Sequence, residues 1–216
     1  MNAQEWQTSY IIPAGGMSVE IDFGVHGTYS FSWLHGHEEE SIDEWCAALS
    51  AEFVGRMVWV LQDDGKIEMQ EANGYTWGWT CTDPLFAAYL GLPASLAGQA
   101  GPYEGTVCPG WWAGYVKRDW GYSRTRKAAL LGGGQGGIRT TGIGQSDRII
   151  FWSSIDAVTE AAQLYRMLYY AADNRILKDD SGRRFVLGDQ AILQAEFDRW
   201  PRSAMEVELL AVEVTG

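Results

Sequence analysis

Residues 35–45, HGHEEESIDEW, put His35 and His37 beside three consecutive glutamates, and the whole chain holds only 3 histidines. Two residues apart on an extended backbone, the two imidazoles project to one side. With Glu38 or His26 they offer the nitrogen and oxygen donors that a transition metal takes. The same segment has a structural reading. Ser41 is followed three residues later by Glu44, the spacing at which each side chain satisfies a backbone N–H of the other residue. Residues 38–40 then precede a helix N-terminus, whose unpaired N–H groups and dipole favour negative charge. No second ligand pair of similar spacing and no HExxH follows. The segment is therefore expected to be the charged lead-in to a packed helix, with no metal and no cofactor.

The other chemical candidates are weaker. Gly132, Gly134 and Gly137 spell GxGxxG, but a dinucleotide site needs a strand before it and a helix directly after it. IRTTGIGQ follows instead, which reads as an arm. Cys46, Cys81 and Cys108 are widely spaced without CxxC, so buried, reduced thiols are expected. Asp63–Asp64 and Asp179–Asp180 sit beside glycine and read as solvated turns. Basic residues gather only in YVKRDWGYSRTRK. Its Lys117, Arg118, Arg124, Arg126 and Lys127 alternate with Trp120 and Tyr122, a pattern that suits a complementary patch on a neighbouring copy of an acidic chain. Those residues, with Gly132, Gly134 and Gly137, are the expected intersubunit contacts. The alternative is a carbohydrate-binding module in which exposed Trp77, Trp79, Trp111, Trp112 and Trp120 stack on sugar rings. Catalytic residues are expected to be none.

The 216 residues are 46% hydrophobic and 20% charged, enough apolar side chain for one large or two small folded units. A net charge of -12 argues against gripping nucleic acid through phosphate neutralisation. No apolar run is long enough to span a membrane, and the N-terminus lacks the pattern of a secretory signal, so no membrane insertion is expected.

Alternation in MSVEIDFGVHGTYSFSWL predicts a hairpin, and the stripe Ile42, Trp45, Cys46, Leu49 and Phe53 predicts a helix over 42–54. Asp64-Gly65 and Asn73-Gly74 then divide a three-stranded meander, because both dipeptides tolerate positive φ. Asp83, Pro84 and Gly91 bracket a short helix. Residues 93–146, rich in proline and glycine, read as a connecting region with a long arm and sparse regular structure. Order resumes with DRIIFWSS as a strand, a helix to about 172 with its stripe on Ile155, Val158, Ala162, Tyr165 and Tyr169, RRFVL as a strand, and a terminal hairpin. The expected class is α+β: β-rich antiparallel sheets and hairpins, two main amphipathic helices and a Gly-rich arm. Residues 1–92, 93–146 and 147–216 form its three segments.

The order strand, GTYSFSWL, SIDEWCAALSAEF, VLQDDGKIEMQ, YTWGWTCTDPLFAAYLGL resembles a plan found in structural proteins of tailed-bacteriophage virions, above all minor tail proteins of long, flexible-tailed phages. FDRWPRSAMEVELLAVEV is similar to their closing hairpin. The resemblance covers residues 17–92 and 183–214. It implies a non-enzymatic tail or tail-tip component, made in the host cytoplasm and built into the virion as a homo-oligomeric ring. Copies of itself and other tail proteins would be its partners, and an acidic lumen would let DNA pass without specific binding.

Overall fold

A computed structural model describes residues 3–35, 38–39, 41–121, 126–130, 136–140, 146–153, 162–164, 166–168, 176–187, 195–196 and 205–213. Its strands in chain order begin with β1 (Ala3–Thr8), β2 (Tyr10–Ile11), β3 (Met17–Asp22), β4 (Thr28–Trp33) and β5 (Glu38–Glu39). After helix α1 (Ile42–Glu52) come β6 (Met57–Leu61), β7 (Lys66–Glu71) and β8 (Trp77–Cys81), then helix α2 (Pro84–Tyr89). Next are β9 (Ser95–Gln99), β10 (Tyr103–Val107), β11 (Trp111–Gly121), β12 (Arg126–Leu130), β13 (Gly136–Thr140) and β14 (Ser146–Ser153). The last are β15 (Ile176–Asp179), β16 (Arg184–Leu187), β17 (Ala195–Glu196) and β18 (Met205–Glu213). All described pairings are antiparallel.

One circuit of strands closes on itself. β1 pairs with β11 on one side and β15 on the other; β11 pairs with β14, β14 with β18, β18 with β16, and β16 with β15. Six strands thus form a barrel without a free edge, to which β17 adds beside β18. Trp6 is fully buried opposite Trp112 and Asp179, with its ring 5.5 Å from that of Phe185. Gly114 makes room there, because a Cβ on it would lie 2.2 Å from the Trp112 indole. Asp179 differs from the solvated turn expected for it. It is buried and accepts hydrogen bonds from the N–H groups of Ser181 (3.1 Å) and Arg183 (2.8 Å), closing the β15–β16 turn.

Residues 10–110 leave the barrel after β1 and return at β11. They build a module of two sheets, β4-β3-β8-β9 and β10-β7-β6, with α1 and α2. The N-cap half of the capping box forms: Ser41 Oγ accepts the Glu44 N–H at 3.3 Å, and Ile42, Trp45, Cys46 and Leu49 are buried, while the Glu44 carboxylate pairs with Lys178. Trp59 of β6 meets Trp79 of β8 at 6.1 Å, while Trp45 joins Trp33 and Phe86 at 6.0 and 4.7 Å. One aromatic core therefore links both sheets and both helices. Asp83 caps α2 by accepting from Leu85 and Phe86, and its second oxygen takes the Tyr10 hydroxyl at 2.8 Å.

The expected meander is only half formed. β6 and β7 pair, but β8 crosses to the other sheet, between β3 and β9. Trp77, Trp79 and Cys81 can be buried only where a second layer faces them, and that layer lies across the core. The Pro/Gly-rich stretch also differs from its reading as sparse in structure: β9, β10 and β11 fill most of residues 93–121. Glycines there permit close backbone contact. A Cβ on Gly91, which has φ +67, would stand 2.1 Å from the Thr106 carbonyl oxygen. In the later helix, residues 162–164 and 166–168 are helical, and the rest of that expected element lies outside the described residues. The buried positions are Gln163, Leu164, Met167 and Leu168, whereas Ala162 of the expected stripe is exposed.

Candidate functional site

Four of the five tryptophans expected to stack on sugars are not available for it. Trp77, Trp79 and Trp112 are 1% exposed and Trp111 8%. The indole N–H groups of Trp77 and Trp79 donate to the Gly101 and Pro93 carbonyls at 3.1 and 2.9 Å. The strands turn these rings into the core. Trp120 pairs with Asp147 in the β11–β14 ladder.

Of the candidate metal ligands, the two described histidines are far apart. His26 and His35 flank opposite ends of β4, whose six residues at a strand rise of about 3.3 Å set them roughly 20 Å apart. His35 Nδ1 lies 3.1 Å from the Ile12 carbonyl oxygen, and His26 stacks on Tyr75. His37 and residue 40 lie outside the described residues, while residues 38–39 form β5 against β2. Among the described residues no group of three His, Cys, Asp or Glu side chains is arranged to hold a metal. The three thiols are free and buried; burial pushes Cys46 and Cys108 far above the ordinary thiol range and Cys81 up to about 11. Thiols held protonated this firmly are poor nucleophiles.

Among the described strands the fold presents open edges. In the β3–β4 ladder the Phe23 N–H donates to the Gly27 carbonyl at 2.9 Å. Because hydrogen-bonded pairs recur every second residue, Tyr29, Phe31 and Trp33 bond β3, while the N–H and C=O groups of Thr28, Ser30 and Ser32 point away from it. No described strand lies on that side. The strand, TYSFSW, has no charge, proline or bulge, the devices that normally blunt an edge. The other edges of the module are protected. On β6, Ser50 Oγ accepts the outward Trp59 N–H at 2.9 Å, and on β10 the Gly91 carbonyl accepts the Thr106 N–H at 2.8 Å. β9 is irregular in register and carries Gly98 at φ +65.

Among the described strands, β12 and β13 are a second open element. They pair with each other from Arg126↔Thr140 to Leu130↔Gly136 and with no other described strand. Of the expected contact residues, Lys117, Arg118 and Trp120 lie in β11, Arg126 and Lys127 in β12, and Gly137 in β13 opposite Ala129. Tyr122, Arg124, Gly132 and Gly134 lie outside the described residues.

Charge divides along the same line. Residues 1–110 hold 2 basic and 15 acidic side chains, whereas residues 111–150 hold 7 basic and 2 acidic. This divide was legible in the sequence, but the whole-chain charge conceals it. Acids also line a cleft of about 360 Å³ between the α1 N-terminus and the barrel, around Lys178, which pairs with Glu44. Among the described residues no helix is long and apolar enough to cross a membrane. No protein-family model matches the chain, and no curated protein or solved structure matches it on comparison.

Proposed function

We propose that this chain is a non-enzymatic structural protein of a phage tail or tail tip, assembling as a homo-oligomeric ring. The observation that carries the reading is that one polypeptide holds both an uncharged strand edge at β4 and a hairpin, β12–β13, neither of which is paired on its outer side among the described strands. Head-to-tail contact between two different surfaces generates a ring when the rotation closes. The opposite charges of residues 1–110 and 111–150 favour that contact over like-with-like pairing. The barrel, which has no free edge, serves as the rigid body that carries both surfaces. The resemblance of the strand order to minor tail proteins supports the placement in a virion.

The test is the mass of the native assembly across concentration and ionic strength, by native mass spectrometry and particle images. Rings of one stoichiometry that loosen with salt are expected. A protein that stays monomeric alone and beside other tail proteins removes the proposal. Deleting residues 132–137 is expected to weaken assembly while leaving the barrel and module folded.

A further inference from the structure

We infer that three turns at one end of the inserted module form a binding cleft for a single carboxylate-bearing sugar ring. The turns are residues 22–27 between β3 and β4, residues 53–56 between α1 and β6, and residues 71–75 between β7 and β8. They enclose a cleft of about 260 Å³ lined by His26, Tyr29, Gly55, Arg56, Asn73 and Tyr75. The site needs no second copy, although Tyr29 belongs to β4, the strand whose edge is assigned to assembly.

The turns are fixed before any ligand arrives. Asp22 Oδ1 accepts the Gly24 N–H at 2.9 Å. Glu71 Oε2 accepts the N–H groups of Asn73 and Tyr75 at 2.9 and 2.8 Å. Asn73 Nδ2 then donates to the Gly55 carbonyl at 3.2 Å, tying two turns together. Loops positioned in this way on a rigid sheet spend little entropy on binding.

The lining combines two recognition elements. His26 and Tyr75 stack with centroids 3.9 Å apart and planes 9° from parallel; Tyr29 and Tyr75 remain 38% and 37% exposed. One face of each ring is covered, Tyr75 by His26 and Tyr29 by Arg56, so what the exposed parts offer a sugar is ring edge and phenolic hydroxyl. Arg56 sits 3.8 Å over the centre of the Tyr29 ring. It is one of two basic side chains among 15 acidic ones in residues 1–110, and the other, Lys66, is held by Asp64 and Glu104 at 2.9 and 2.7 Å. Among the described residues no carboxylate pairs with Arg56. A guanidinium stacked on a ring keeps its in-plane N–H groups for a bidentate carboxylate. A single cation within so acidic a module matches one negative charge and repels a polyanion, and the volume suits one ring.

Titrations of the full chain by protein-observed NMR would use a glucuronic acid disaccharide and N-acetylneuraminyl-lactose as probes, with lactose and inorganic phosphate beside them. Saturable shifts at His26, Arg56 and Tyr75 with an acidic sugar are expected, and none with lactose. Arg56→Gln and Tyr75→Ala should each weaken binding about tenfold or more, while Lys66→Gln leaves it unchanged. Absence of saturable binding by both acidic sugars overturns the inference. So does equal binding of lactose, undiminished affinity in Arg56→Gln, or phosphate bound as tightly with Tyr75→Ala silent. Should Arg56→Gln lower the melting temperature, Tyr75→Ala alone decides between ring and ion.

Discussion

Substituting Ser30→Pro is the sharpest perturbation of the proposed assembly. Ser30 lies mid-strand in β4, with its N–H directed away from β3, so proline removes a donor that the folded chain does not use. Edge strands tolerate proline at such positions, and the monomer should lose no more than about 1 kcal/mol. A strand docked on this edge would meet the three N–H and three C=O groups of Thr28, Ser30 and Ser32. Proline deletes one of these donors, and its ring holds the incoming strand off the adjacent acceptors, so about two or three bonds are lost. At ~0.5–1.5 kcal/mol net per bond, association weakens by about 1–4.5 kcal/mol, or roughly 5- to 2000-fold. Phe31→Pro is the control, since its N–H points into the ladder and its loss should destabilise the monomer by about 1–3 kcal/mol. Sedimentation velocity across concentration, beside a thermal melt of each variant, reads both quantities. If Ser30→Pro assembles at the wild-type concentration with an unchanged melt, β4 is not the joining edge.

Other expectations follow from burial and hydrogen bonding. Trp79→Ala should lower stability by about 3–5 kcal/mol in urea unfolding, because it empties the contact with Trp59 and orphans the Pro93 carbonyl; a loss below about 1 kcal/mol would contradict its burial. Cys46, Cys81 and Cys108 should react with a thiol reagent only as fast as the chain opens, so rapid native labelling at neutral pH would refute their burial. Burial pushes the Glu71 carboxyl upward, but hydrogen bonds from the Tyr75 and Asn73 N–H groups outweigh it and hold the group below 4.5. Its contribution is therefore present above about 4.5 and lost as pH falls through its lower folded value, which should free residues 71–75 in amide exchange below that pH, with Glu71→Gln abolishing the transition.

The sequence alone determined the local elements, because their causes are local. Ser41 with Glu44 and Asp83 with Pro84 mark two helix starts, and both caps form. Alternation around the turn at Gly24 to Gly27 gave the β3–β4 hairpin, and Asp64-Gly65 the β6–β7 hairpin. Tertiary structure decided everything that depends on distant partners. β1 finds β11 and β15 more than a hundred residues away, a choice that no neighbouring residue encodes, and the same is true of β8 leaving β7 for β3. Alternating tryptophans say that two faces differ without saying which is inward; the opposing layer supplied by Trp59 sets that for Trp79. The joining of His26, Arg56 and Tyr75 has the same origin. Each sits in a separate turn, and only the packing of two sheets brings the three turns to one end.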